Sequence, residues 1–194
     1  MPERLQVDRR QQFIDATINA IAKYGFGEAT VQKIAGEIGI TAANVHHNFG
    51  DKAGLIEATM RALMRLISEE SAEESAKAVT AREKLAAVVR ANLSSSLFET
   101  NICRAWLHFW VHAPHRPELQ RLERINAGRL RSNLVRWLRD LVGHDEAGII
   151  ASHCAAIIDG LWIGKALGTV DLTPQVAQTM VIGFLDDEIT RCSR

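Results

Sequence analysis

The chain is poor in the residues that mark several whole classes of protein. Its 194 residues include three cysteines, Cys103, Cys154 and Cys192, an odd number at wide spacing. That argues against a disulfide framework and for a reducing compartment. Only four residues are proline while 47% are apolar, which describes a globular chain and not a disordered one. Neither sign of charge is in excess: Lys plus Arg and Asp plus Glu each number 23, so there is no global pull toward nucleic acid or membrane. No apolar run reaches the roughly 18 residues that a membrane span requires. The N-terminus, MPERLQVDRRQQ, is too polar for a signal peptide. A soluble cytoplasmic protein is expected, with no membrane partner and no cofactor. Its length allows one large domain, or a small one joined to a larger one.

Strand-like alternation is also missing, and what fills the chain instead is helical periodicity. Residues 8–24 place Ile14, Ile18 and Ile21 on one face, with Gly25 as a stop. Thr30 precedes a short pattern ending at Gly39, and Thr41 opens another ending near Phe49-Gly50. Asp51 can cap a long helix beginning KAGLIEATMRALMRLISEE. Longer helices are expected over 82–98, 101–112, 117–142, 145–168 and 174–190, punctuated by Pro114, Pro117, Gly143 and the turn TVDLTP. The expected fold is all-α, with a three-helix unit over 1–52 and a larger helical domain over 53–194.

The short helices carry the first specific signal. In VQKIAGEIGITAANVHHNF, Ala35 and Gly39 lie four apart among Ile34, Ile38, Ile40 and Val45. A helix-turn-helix needs this: a small residue for close approach, a glycine for the turn, and branched side chains to set the crossing angle. The second helix then keeps a polar face of a size that fits the DNA major groove. The candidate DNA contacts are Thr30, Thr41, Ala42, Ala43, Asn44, His46, His47, Asn48 and Lys52, the last placed to hold a phosphate together with a helix N-terminus. A purely structural trihelical unit is the alternative. The basic footprint of a DNA-binding head is absent, because residues 1–60 hold six Lys/Arg (Arg4, Arg9, Arg10, Lys23, Lys33, Lys52) against seven Asp/Glu.

The run TVQKIAGEIGITAANVHHNFGDKAGL (30–55) resembles the DNA-binding region of the TetR family of bacterial repressors. The resemblance implies an all-α homodimer with a three-helix head and a larger helical domain for ligand and dimerisation. His46 and Asn48 depart from the family, standing where its members usually show tyrosines around this helix. Further along, AWLHFW (105–110), RINAGRLRSNL (124–134) and IIDGLWIGKAL (157–167) are similar to segments of the choline-responsive, BetI-type branch. So are IDATINAI (14–21) and GDKAGLIEATMR (50–61) in the head. That branch implies a repressor binding a palindromic operator, a choline-like effector, and dimerisation through the last two long helices.

The chemistry of the later segments suits such an effector. A quaternary ammonium has charge but no N–H, so proteins hold it against aromatic faces, often beside a carboxylate. Trp106 and Trp110 share a helix face, Trp162 follows Asp159 by three residues, and Phe98 precedes them. Asp159 stands alone in the apolar run AAIIDGLWIG, and burying it is costly without a cation. That cation is the ligand, or else Arg104, Arg129 or Arg131. Candidate ligand residues are Phe98, Trp106, Trp110, Asn133, Asp159 and Trp162. Plain core packing of the tryptophans is the competing account.

Three other signals compete. His108 and His112 have a metal-ligand spacing with His115 behind them, yet Pro114 breaks the geometry and nothing nearby completes a tetrahedron, so no metal is expected. Consecutive Ser152, His153 and Cys154 point in different directions on a helix and cannot assemble a nucleophile–base pair. The seven arginines between 116 and 139 suit a solvated face. Three functions stay open: a ligand-gated repressor, a helical enzyme using the His108/His112 region, and a multidrug-type sensor of lipophilic cations or hydrophobes.

Overall fold

The computed structural model describes residues 2–192, with side chains from residue 10 onward. Among these the chain is all helix and turn. The helices are α1 (Pro2–Glu28), α2 (Val31–Glu37), α3 (Ala42–Phe49), α4 (Lys52–Ala76), α5 (Ala81–Asn92), α6 (Thr100–His112), α7 (Pro117–Val142), α8 (His144–Leu167) and α9 (Pro174–Cys192). A single 3-10 turn, Ala113–His115, links α6 to α7.

Local chemistry sets most of these boundaries. Gly25 interrupts α1 at φ 77° and ψ 163°, a backbone conformation open to glycine and strained for other residues. The stop expected at that residue is therefore a kink, and one further turn carries the chain to Glu28. Thr30 caps α2 by accepting from the Lys33 N–H at 3.3 Å, and Asp51 caps α4 by accepting from the Gly54 N–H at 2.8 Å. Thr80 and Glu83 form a reciprocal capping box on α5. Between α2 and α3 the turn passes through Gly39 at φ 67°.

One expected helix was too long. The pattern 82–98 ends at Asn92, and 93–99 form turns that seat Leu97 and Phe98 in the core. The consecutive serines 94–96 favour local backbone bonding over helix. Phe98 N–H donates to the Ser94 carbonyl at 2.8 Å. The carbonyls that end α5 are claimed from outside the helix. Trp162 Nε1 donates to Asn92 O at 3.1 Å and Gln178 Nε2 to Leu93 O at 2.9 Å, tying α8 and α9 to that end.

The core runs through the whole molecule. In the head, Phe13, Ile34, Val45 and Leu55 are buried, and Phe49 packs edge-on against Phe13 at 5.1 Å. Helix α4 belongs to both parts, packing on α1 and α3 at its start and on α5 and α7 beyond. Helix α6 lies against α1 on one side and α8 on the other. Among the described residues α8 is long and apolar enough to cross a membrane by length and composition, although its apolar run is interrupted. It packs on α6, α7 and α9 instead. Its outer side carries exposed Ile149, Ile163 and Leu167 alongside Ser152, His153 and Asp159, and Val176 and Met180 are exposed on α9.

Candidate functional site

Helix α3 is held by its buried Val45 and half-buried Ala42 and Phe49. At about 100° per residue, these three put Ala43, Asn44 and His47 at the centre of the opposite side, with His46 and Asn48 flanking them. All five are exposed, as is Thr41. The polar residues are unequally free. Asn44 Nδ2 donates to Thr41 Oγ1 at 3.1 Å, so the threonine hydroxyl receives a side chain instead of capping the α3 backbone. Asn48 Nδ2 donates to Asn44 O at 2.7 Å, and His46 Nδ1 lies 2.7 Å from Gly50 O, closing the helix end. Among the described residues His47 has no such internal bond, and it is exposed with both ring nitrogens open. Thr30 spends its hydroxyl on its cap.

Lys52 differs from expectation. Its ammonium turns inward and donates to Phe26 O at 2.5 Å and Gly27 O at 3.0 Å, 5.3 Å from the centre of the Phe26 ring. Burial, followed by the nearby Arg116 charge, pulls its pKa down. Two of its three donors are thus committed to the end of α1, and not directed out toward a backbone phosphate.

In the second domain the structure gathers three of the expected aromatics. Trp106 makes edge contacts with Trp110 at 6.3 Å and Trp162 at 5.6 Å, and Phe109 adjoins it at 5.4 Å. Asp159 keeps more than a third of its surface open, yet surrounding side chains displace enough water to push its carboxyl up to about 6. Two of its three alternative partners are occupied elsewhere: Arg104 donates to Ala166 O at 3.2 Å, and Arg129 to Met64 O at 3.1 Å and to the Ser68 hydroxyl. No ion pair forms at Asp159 among the described residues. Asn133 is half-buried on α7. Phe98 is buried with the Lys165 ammonium 5.5 Å above its ring, and makes no ring contact with the tryptophans.

Sequence reasoning missed Glu123. From an arginine-rich helix it reads as a surface charge, but its Oε2 is buried without a hydrogen-bond partner among the described residues. Burial raises its pKa, hydrogen bonding from Trp110 opposes this, and the charge on Asp159 adds to the rise. Two carboxylates and the edge of a tryptophan thus converge with no cation between them. The only advance signal was a lone glutamate among leucines at helical spacing.

The histidines and cysteines of the competing readings have partners or burial of their own. His112 Nδ1 lies 2.9 Å from the His108 carbonyl, and both rings stack toward Phe26. Among the described residues no cluster of three potential metal ligands exists. Cys103 and Cys154 are buried, which pushes both thiols up to about 12 and leaves them unreactive. A cleft of about 630 Å³ lies between α1 and α4, away from the tryptophans. On its rim Arg61 is paired with Glu57 and Arg10 sits over Phe49.

Comparisons with known proteins agree with this layout. Residues 13–59 match the tetR family of bacterial regulatory proteins, and residues 81–190 match the C-terminal domain of BetI-type transcriptional repressors. The transcriptional regulator BetI of Brucella anthropi is 43% identical over 160 residues, covering 82% of each chain. That of Stenotrophomonas maltophilia is 37% identical over 97% of each. Among solved structures, a transcriptional regulator from Pseudomonas aeruginosa superposes with a TM-score of 0.75 at 26% identity, covering 98% of this chain and 92% of that one. A regulator from Saccharomonospora viridis, solved in complex with choline, gives 0.79 at 21% identity over 93% and 96%. The chain belongs to the TetR family of bacterial DNA-binding regulators, in its branch of BetI-type transcriptional repressors.

Proposed function

We propose that this repressor senses choline or a close quaternary ammonium relative. The observation that carries the reading is the Glu123–Asp159 pair beside Trp110: two carboxylates set against aromatic edges, one with a buried oxygen, and neither with an ion-pair partner among the described residues. A trimethylammonium group supplies the missing charge without bringing an N–H that would need an acceptor, and the rings of Trp106, Trp110 and Trp162 supply its apolar surroundings. The BetI relatives and the choline-bound Saccharomonospora regulator support the same ligand class.

The remaining parts complete a switch that works in the cytoplasm. The head through residue 52 reads an operator with Ala43, Asn44 and His47. The body from residue 53 pairs with a second copy through the exposed apolar sides of α8 and α9. Two-fold symmetry then places two recognition helices about one DNA turn apart on a palindromic operator. Choline shifts DNA affinity only so far as it binds one arrangement of the heads more tightly than another.

The test is a titration watched by tryptophan fluorescence. Choline is expected to change the emission of the wild type and to leave Glu123→Gln and Asp159→Asn unmoved over the same range. The neutral isostere 3,3-dimethylbutanol is expected to do nothing. A response to the neutral isostere or to bulky hydrophobes as strong as that to choline would replace this reading with a broad hydrophobe sensor.

A further inference from the structure

Helix α6 has two occupations on opposite flanks. Trp106 and Trp110 face the ligand cluster. His108 and His112 lie about 200° around the helix axis from Trp106 and Trp110 and face the head, where Asn101 Nδ2 also donates to Asn19 Oδ1 at 3.3 Å. The contact point on the head is one ring. Phe26 is 5% exposed; the His112 ring lies on it with centroids 3.9 Å apart and 31° between planes, and His108 stacks at 6.5 Å. The Arg116 guanidinium, at the start of α7, is 5.8 Å from the same ring.

The backbone at Phe26 is tied to the start of α4. Its carbonyl and that of Gly27 hold the Lys52 ammonium, and Lys52 is the first residue of α4, three positions after the end of α3. The kink at Gly25 makes this geometry available, since it lets the chain leave the α1 axis just before Phe26. A continuous path therefore runs from Trp110 along the body of α6 to His112, across the stacked rings to Phe26, and through its carbonyl to Lys52 at the start of α4, three residues after the recognition helix.

We infer that Phe26, stacked on His112 and gripped by Lys52, is the joint through which the aromatic site and the DNA-reading helix sense each other. This rests on the ligand-responsive reading above and adds to it a role for Lys52 as a clamp within the protein. A rigid helix cannot move Trp106 and Trp110 without moving His108 and His112, so any displacement at the ligand arrives at the Phe26 ring. Stacked rings transmit a shift of that kind because packed contacts resist continuous deformation.

The molecule supplies a readout that needs no ligand. All four tryptophans, Trp106, Trp110, Trp137 and Trp162, lie in the body and none in the head. Coupling is reciprocal in binding free energy, and a shift of α6 moves Trp106 and Trp110 with it, so operator binding at the head is expected to register in body fluorescence. The probe is a palindromic duplex recovered by in vitro selection with the full chain. Wild type is expected to change its tryptophan emission when the duplex is added, and choline to change duplex affinity by a factor in the usual range of about 5–150.

His112→Gln and Phe26→Leu are expected to bind the duplex within about threefold of wild type in the absence of choline, while losing at least four-fifths of both effects. Retention of both effects in both variants would overturn the inference, as would a wild type whose emission ignores the duplex. Loss of duplex binding by both variants would overturn it too, because the ring would then merely hold the head together. If choline is inert on wild type while the duplex still moves its emission through a His112-dependent path, the choline reading falls and the joint stands.

Discussion

At the scale of the residue, the two carboxylates set against the tryptophans decide most of what is testable. Asp159 titrates in the folded protein at about 6, against a reference of 3.8, because burial disfavours its charge. A raised carboxylate pKa means the fold prefers the protonated form, so its full stability is present below the unfolded value and is lost as pH rises through about 6. Asparagine mimics the neutral acid. Asp159→Asn is therefore expected to melt higher than wild type above pH 6, with the gap closing toward pH 4. A shift of that size corresponds to about 3 kcal/mol at most; with the residue partly open to water, about 1 kcal/mol is reasonable, or roughly 2–4 °C. Calorimetry across pH checks the sign. Choline at about a hundred times its dissociation constant adds about 2.7 kcal/mol to wild type alone, so the order of melting is expected to reverse. His47 makes the complementary residue-scale prediction. It is exposed and free of internal bonds, so His47→Ala is expected to weaken specific operator binding by tenfold or more. Melting and nonspecific binding are expected to stay unchanged. Equal weakening on all sequences would make it a backbone contact.

At the scale of the element, the tightest packing in the head is where α3 meets α4. A Cβ added to Gly54 would overlap the Phe49 carbonyl oxygen, a backbone atom that cannot move without moving the recognition helix. Gly54→Ala is expected to cost about 1–3 kcal/mol, the range for overpacking, and to abolish operator binding while choline still changes tryptophan emission. Hydrogen exchange should show the loosening confined to α1–α4. The element scale also shows what could be read from the chain before any coordinates. Helices with a 3.6-residue apolar stripe and a capping residue were legible, since both signals are local: α3, α6 and α7 fall where periodicity and Pro117 put them. The end of α5 was not legible, because Trp162 and Gln178, some 70 and 85 residues away, take the carbonyls there. Glu123 and Lys52 were obscured for the same reason. Nothing along α7 announces that Trp110 and Asp159 will enclose a glutamate, and nothing beside Lys52 announces the two carbonyls of a kinked α1. The tryptophans and Asp159 were readable as a group only because each is conspicuous in its own segment.

At the scale of the whole molecule, the open apolar sides of α8 and α9 ask for a second copy. Leu167 and Met180 are 62% and 51% exposed, on helices whose other sides are already buried in the core. The double substitution Leu167→Glu with Met180→Glu is expected to yield a folded monomer by sedimentation, with unchanged helicity, normal choline-induced fluorescence and operator affinity lower by at least a hundredfold. A variant that stays dimeric would move the interface elsewhere.

On the proposed pairing, that face also sets a concentration scale for the gene it serves. When two chains must meet before either grips an operator, occupancy below the dimer dissociation constant falls with the square of chain number. A fall in the repressor's concentration to half then removes closer to three-quarters of the dimer than half. On that pairing, the threshold for derepression is written partly into apolar side chains, such as Leu167 and Met180, that have no part in reading the operator.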